Sequence, residues 1–131
     1  MDEVPIRSGD DVVRVRQQVR NAAAENGLSL VDQTKLVTAA SELARNTLVH
    51  GGGGMAHIEV VKSGNGRAGV KLHFTDEGPG IADIALALTD GWTSGTGLGL
   101  GLSGARRLVD EFELDSKPGA GTSVMVVKWS R

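Results

Sequence analysis

The spacing of apolar positions changes from helical to strand-like partway along this chain, and the change marks out its elements. Val4-Pro5-Ile6 reads as a short edge strand, a place where proline is tolerated. Val12, Val15, Val19, Ala22 and Ala23 recur at helical spacing, so a helix is predicted from a cap at Ser8 or Asp10 to about Asn26. Gly27 suits the position just past its end. Ser29 caps a second predicted helix with Asp32 in its first turn. Leu36, Ala40, Leu43, Ala44 and Thr47 form its buried stripe, and it ends at His50 before Gly51-Gly52-Gly53-Gly54. Beyond that point the period falls to two. His57 to Lys62 alternates with Ile58 and Val60 on one side, and Val70, Leu72 and Phe74 alternate in a second strand. Ser63-Gly64-Asn65-Gly66 between them is the turn of a hairpin. Ile81 to Leu88 predicts a short helix and residues 91–101 a glycine-rich loop. Leu102 to Asp110 predicts a third main helix with apolar Ala105, Leu108 and Val109. Phe112–Ser116 and Thr122–Trp129 close the chain as paired strands around Pro118-Gly119-Ala120-Gly121. Hairpins with helices gathered on one face predict an α+β two-layer sandwich with a mixed, mainly antiparallel sheet.

Composition narrows this picture. The 131 residues suit a single domain spanning 1–131, long enough to bury its own core. A formal net charge of −2 argues against a nucleic-acid binder, which needs a basic face. The absence of cysteine excludes disulfides and thiolate metal sites. No apolar run approaches the roughly 20 residues that span a bilayer, and the first residues lack a signal-peptide core. A cytoplasmic protein with no membrane partner is the expectation.

Four segments carry candidate chemistry. Glu42 and Asn46 are four residues apart, so they sit within roughly 40° of each other on one ridge of the second helix. Alone, such a pair is equally a solvated helix face with polar neighbours. In the second hairpin strand Asp76 points to the same side as Val70, Leu72 and Phe74, which aims a carboxylate at the apolar face. It is either a turn or cap residue or an acceptor for an exocyclic amine such as that of adenine. Gly78 and Gly80 beside it let backbone approach a ring. The run Gly95-Thr96-Gly97-Leu98-Gly99-Leu100-Gly101-Leu102 precedes a helix. Alternating glycines let backbone N–H groups converge on an anion, so a phosphate chain is the natural ligand and a flexible surface loop the alternative. It is not a P-loop, because no Gly-Lys-Ser/Thr follows, and the Rossmann fingerprint fits poorly. Thr122 opens the last strand and either sets its hydroxyl beside Asp76 or is a β-branched hairpin residue.

Each segment alone is a weak signal; their order and spacing together are specific. They resemble the N box and the G1, G2 and G3 segments of the GHKL (Bergerat-fold) ATPases, over about residues 30 to 129. The compact length, Ser41-Glu-Leu-Ala-Arg-Asn46 and the ending Val126-Val-Lys-Trp129 look most like RsbT-type serine/threonine kinases, with the RsbW/SpoIIAB anti-sigma-factor kinases close by. The resemblance implies Glu42 as general base, Asn46 as a ligand of Mg²⁺, and Asp76 on the adenine of ATP. It further implies Gly78, Gly80 and Ile81 lining the base pocket, and Thr93, Ser94 and the glycine-rich loop through Gly101 and Leu102 as a lid over the phosphates. Thr122 would support the adenine contact. The implied reaction is phosphoryl transfer to a hydroxyl of a STAS-domain partner in a stressosome-like assembly, with a PP2C-type phosphatase as a second partner. The alternative is an anti-sigma factor that sequesters a sigma factor. The Gly51–Gly54 run lacks the aromatic of some anti-sigma relatives, and no room exists for the dimerising phospho-acceptor helix of a histidine kinase. Arg45, beside the asparagine, is a phosphate or partner contact or a surface ion pair. Met125, Val127 and Trp129 alternate away from Val124 and Val126, so they form a solvent-facing partner patch unless another segment covers them.

Overall fold

The computed structural model describes residues 2–78, 101–117 and 119–131. The elements run β1 (Asp2–Ile6), α1 (Gly9–Glu25), α2 (Leu30–Val49), β2 (Gly54–Lys62), β3 (Ala68–Asp76), α3 (Gly101–Arg107), β4 (Glu111–Ser116) and β5 (Thr122–Trp129). The five strands form one sheet in the order β1-β2-β3-β5-β4. The expected two-layer α+β sandwich is present, and every pairing among the described residues is antiparallel. The short helix expected at Ile81–Leu88 lies outside the described residues.

Local chemistry explains the helices. The Ser29 hydroxyl accepts the Asp32 N–H at 3.1 Å, which satisfies one of the free donors at the start of α2. Ser8 holds the N-cap position of α1, yet its side chain makes no cap bond; Asp11 instead accepts the Arg7 N–H at 2.8 Å. Gly27 takes φ +82 just past the end of α1, a conformation that glycine adopts freely. α3 stops at Arg107, short of the predicted Asp110, because the Asp110 N–H turns to the Val127 carbonyl on β5.

The core lies between the helices and one sheet face. Val15, Val19, Leu36, Leu43, Ile6, Leu72, Phe74 and Val126 are almost completely buried. Each such aliphatic or aromatic side chain contributes on the order of 1.5–3 kcal/mol relative to exposure. The predicted stripes on α1 and α2 and the alternation in β3 all face this core. β2 begins three residues before the predicted His57, at Gly54, because pairing with Asp76 on β3 and with Ile6 on β1 extends the strand past its apolar pattern. Val60 shares the face of Ile58 but is 45% exposed.

The outer sheet face is less apolar to solvent than expected. Val127 is buried, and the Trp129 ring lies over Gly69, where a Cβ would come within 2.6 Å of the indole. The Trp129 indole N–H also donates to Glu111 at 2.7 Å. The patch predicted from Met125, Val127 and Trp129 is therefore largely covered by its own neighbours. The far end of the sheet holds a feature with no sequence signature. Lys128 is buried, with its Nζ 3.7 Å from Asp32 and 3.5 Å from Asp110, and Arg131 lies 3.5 Å from Asp32. A buried lysine persists only when carboxylates surround it.

Candidate nucleotide site

One end of the sheet is built from a row of paired residues. Register sets Ile6, Gly54, Asp76, Thr122 and Ser116 side by side across all five strands. α2 ends above this row. The Asn46 carbonyl accepts the His50 N–H at 2.9 Å and the Gly51 N–H at 3.2 Å, so the chain leaves the helix and turns down at Gly51. There it meets Asp76: a Cβ on Gly51 would lie 2.4 Å from Asp76 Cγ and 2.6 Å from its Oδ2. A Cβ on Gly78 would lie 2.7 Å from Gly51 Cα, and one on Gly121 2.2 Å from the Asp76 carbonyl oxygen. Glycine at these three positions is what lets the end of α2, the turn after β3 and the start of β5 converge on one carboxylate.

The two oxygens of Asp76 have different surroundings. Oδ1 accepts the Gly78 N–H at 2.9 Å and the Thr122 N–H at 3.2 Å. These bonds lock the carboxylate at the strand end. Oδ2 lies against Gly51, facing the end of α2. Thr122 thus reaches Asp76 through its backbone. Its hydroxyl pairs with the Ser116 hydroxyl at 2.9 Å, and Ser116 also donates to the Gly121 carbonyl at 3.1 Å.

Glu42 and Asn46 both lie half-buried on α2, one turn apart, on the helix that delivers Gly51 to Asp76. The Arg45 guanidinium stands 3.6 Å from the Glu42 carboxylate, the ion-pair alternative for that residue. Behind this ridge Thr47 is buried and donates to the Leu43 carbonyl at 3.0 Å, and a Cβ on Gly54 would lie 2.8 Å from its methyl. Leu102 is buried in the core, so any role it has toward a ligand passes through its backbone. Gly80, Ile81, Thr93, Ser94, Gly95, Thr96, Gly97, Leu98, Gly99 and Leu100 lie outside the described residues. Sequence reasoning missed Gly51 and Gly121 as packing partners of Asp76, although the glycine runs were visible, and it missed Ser116, which had no signal at all.

The end of α2 thus meets a strand-end acid across converging glycines. Residues 31–130 match the family described as histidine kinase-, DNA gyrase B- and HSP90-like ATPases. The chain belongs to this ATPase family. It is 46% identical over 121 residues to the serine/threonine-protein kinase RsbT of Bacillus subtilis (strain 168), covering 92% of this chain and 90% of that one. It is 29% identical over 117 residues to an anti-sigma F factor of Thermoanaerobacter sp. (strain X514), covering 87% of this chain and 82% of that one. Its fold matches the RsbU and RsbW domains of Rv1364c from Mycobacterium tuberculosis with a TM-score of 0.64 at 23% identity, covering all of this chain and 33% of that one. Like its RsbT relative, this member of the ATPase family is an ATP-binding protein-serine/threonine kinase. Among the described residues no helix is long and apolar enough to cross a membrane.

Proposed function

We propose that the chain is a cytoplasmic kinase that transfers the γ-phosphoryl group of ATP to a serine or threonine of a STAS-domain partner. We further propose that it exchanges this partner for a PP2C-type phosphatase within a sigma-factor stress pathway. The observation that carries the nucleotide site is the convergence of Gly51, Gly78 and the Thr122 N–H on Asp76. Oδ1 is occupied by backbone donors, which leaves Oδ2 to accept the exocyclic amine of adenine. Gly78, Gly80 and Ile81 then border the base, and residues 93–102 lie over the phosphates.

Phosphoryl transfer asks mainly for positioning and charge neutralisation. Glu42 holds the acceptor hydroxyl and takes its proton as the hydroxyl oxygen bonds to phosphorus and ADP leaves. Arg45, 3.6 Å from Glu42, helps to fix that carboxylate. The amide oxygen of Asn46 is a hard oxygen donor, which suits Mg²⁺. Mg²⁺ commonly fills most of its shell from phosphate oxygens and water, so a single amide suffices. When bound, Mg²⁺ supplies neutralisation of the phosphate charge.

Incubating the chain with ATP, magnesium and a purified STAS protein tests this reading. Transfer that disappears in Glu42→Gln while ATP still binds is the expected result; transfer unaffected by Glu42→Gln contradicts it. The likeness to an anti-sigma F factor favours a second reading, in which the chain sequesters a sigma factor. Recovery of a sigma factor in an ATP-dependent pull-down, in place of STAS and phosphatase proteins, decides for that reading.

A further inference from the structure

The two edges of the sheet are made differently. β1 carries Pro5, which removes a backbone donor, and its Glu3 lies 3.7 Å from His57 of β2. β4, with the sequence Glu-Phe-Glu-Leu-Asp-Ser, has no proline, and among the described residues it pairs with β5 alone. Among the described residues no strand lies on its other side, so from Glu111 to Asp115 that side offers a row of backbone N–H and C=O groups, a template for one more strand. Glu111, Glu113 and Asp115 are exposed and share the outer face of this edge at alternate positions. Glu111 is taken by the Trp129 indole, whereas Glu113 and Asp115 form no ion pair among the described residues. Behind them the outer face opens into a groove of about 550 Å³ lined by Lys71, His73, Glu113, Asp115, Ser123 and Met125.

The charges select the occupant. A second copy of the chain pairing β4 against β4 would bring carboxylates opposite carboxylates, which is unfavourable across strands. A strand with cations at alternate positions would set them directly against Glu113 and Asp115 while its amides complete the ladder. We propose that β4 is a docking edge for an extended segment of a protein partner bearing lysine or arginine at every second residue. Such a segment ends beside the nucleotide site, because Ser116, the last residue of β4, is hydrogen-bonded to Thr122 next to Asp76. The proposal does not depend on the kinase reading and its test uses no nucleotide.

The test titrates the full chain, ¹⁵N-labelled, with a short blocked peptide of alternating lysine and threonine. Two further versions carry N-methyl groups on one or the other alternate set of amides. The expected result is binding that perturbs the amides of Glu111 to Ser116, is abolished by one methylation pattern and is spared by the other. Replacing Glu113→Gln and Asp115→Asn together should weaken it about tenfold with the melting temperature unchanged, since both side chains are exposed. No binding overturns the proposal. So does binding that both methylated peptides retain, which would be charge attraction without strand pairing. Perturbations clustered away from β4, or concentration-dependent self-association of the chain through β4, overturn it equally.

Discussion

Asp76→Asn separates the two duties that the structure gives this side chain. In the folded chain Oδ1 accepts the Gly78 and Thr122 N–H groups at 2.9 and 3.2 Å. An asparagine can keep its amide oxygen at the Oδ1 position and retain both bonds. Its NH₂ group then stands where Oδ2 stood, against Gly51, and presents a donor to the donor of an adenine amine. The lost interaction is a hydrogen bond to a charged acceptor, worth about 1.5–3 kcal/mol. At about 1.4 kcal/mol per decade, ATP affinity should fall roughly tenfold to a hundredfold. Stability should change by less than about 1 kcal/mol, because the backbone donors stay satisfied. Asp76→Ala differs: it orphans two part-buried N–H groups and should destabilise by about 2–4 kcal/mol besides losing ATP. Calorimetric titration with ATP and thermal melts of both variants check this pair. Affinity unchanged in Asp76→Asn, or a melting temperature as low as that of Asp76→Ala, refutes the division of labour between the two oxygens.

Other outcomes follow from the same geometry. Gly51→Ala places a Cβ 2.4 Å from Asp76 Cγ and should abolish measurable ATP binding. Gly52→Ala, with open space around its Cβ but φ +74, should lower stability by about 1 kcal/mol and leave binding intact; denaturant melts and calorimetry distinguish the two. Lys128→Met leaves Asp32 buried with, among the described residues, Arg131 as its remaining cation and should destabilise by about 3 kcal/mol. Adding Asp32→Asn should restore much of that loss, as read from urea midpoints. Burial, then the neighbouring His57 and Lys71, hold the His73 pKa below its ordinary value of 6.5. The unfolded chain therefore takes up a proton before the folded one does, and stability falls as the pH drops through the range from 6.5 down to the folded pKa. His73→Gln should flatten the melting temperature between about pH 5 and pH 7 relative to the parent; an unchanged slope contradicts the assignment.

The parts of the fold that were legible in the sequence are those in which one period governs a whole element. Val12, Val15 and Val19 of α1, the Leu36, Ala40, Leu43, Ala44 and Thr47 stripe of α2 and the alternation of Val70, Leu72 and Phe74 each report a buried face, and each is buried. Element ends were less legible, because partners set them. β2 starts at Gly54 since β1 and β3 lie on either side, and α3 stops when Asp110 turns to bond β5. Asp76 announced itself as a carboxylate on an apolar face, and the structure places it at the end of α2. Its true partners are backbone groups, however, and backbone N–H donors carry no side-chain signature. The sequence leaves the Thr122 hydroxyl open between Asp76 and a plain hairpin position for that reason, and the structure pairs it with Ser116. Long-range ion clusters are invisible for a related reason. Asp32 and Asp110 are far in sequence from each other and from Lys128 and Arg131, and only the folded chain brings the four together.

Titration of the ¹⁵N-labelled chain with ATP and magnesium, followed amide by amide, reaches the central claim most directly. Nucleotide seated between the α2 ridge and the strand-end acid should shift Gly51, Asp76, Gly78 and Thr122 together, along with Asn46 and its neighbours on α2. Shifts confined to the outer sheet face around Lys71, His73 and Met125, with those residues unmoved, would contradict it.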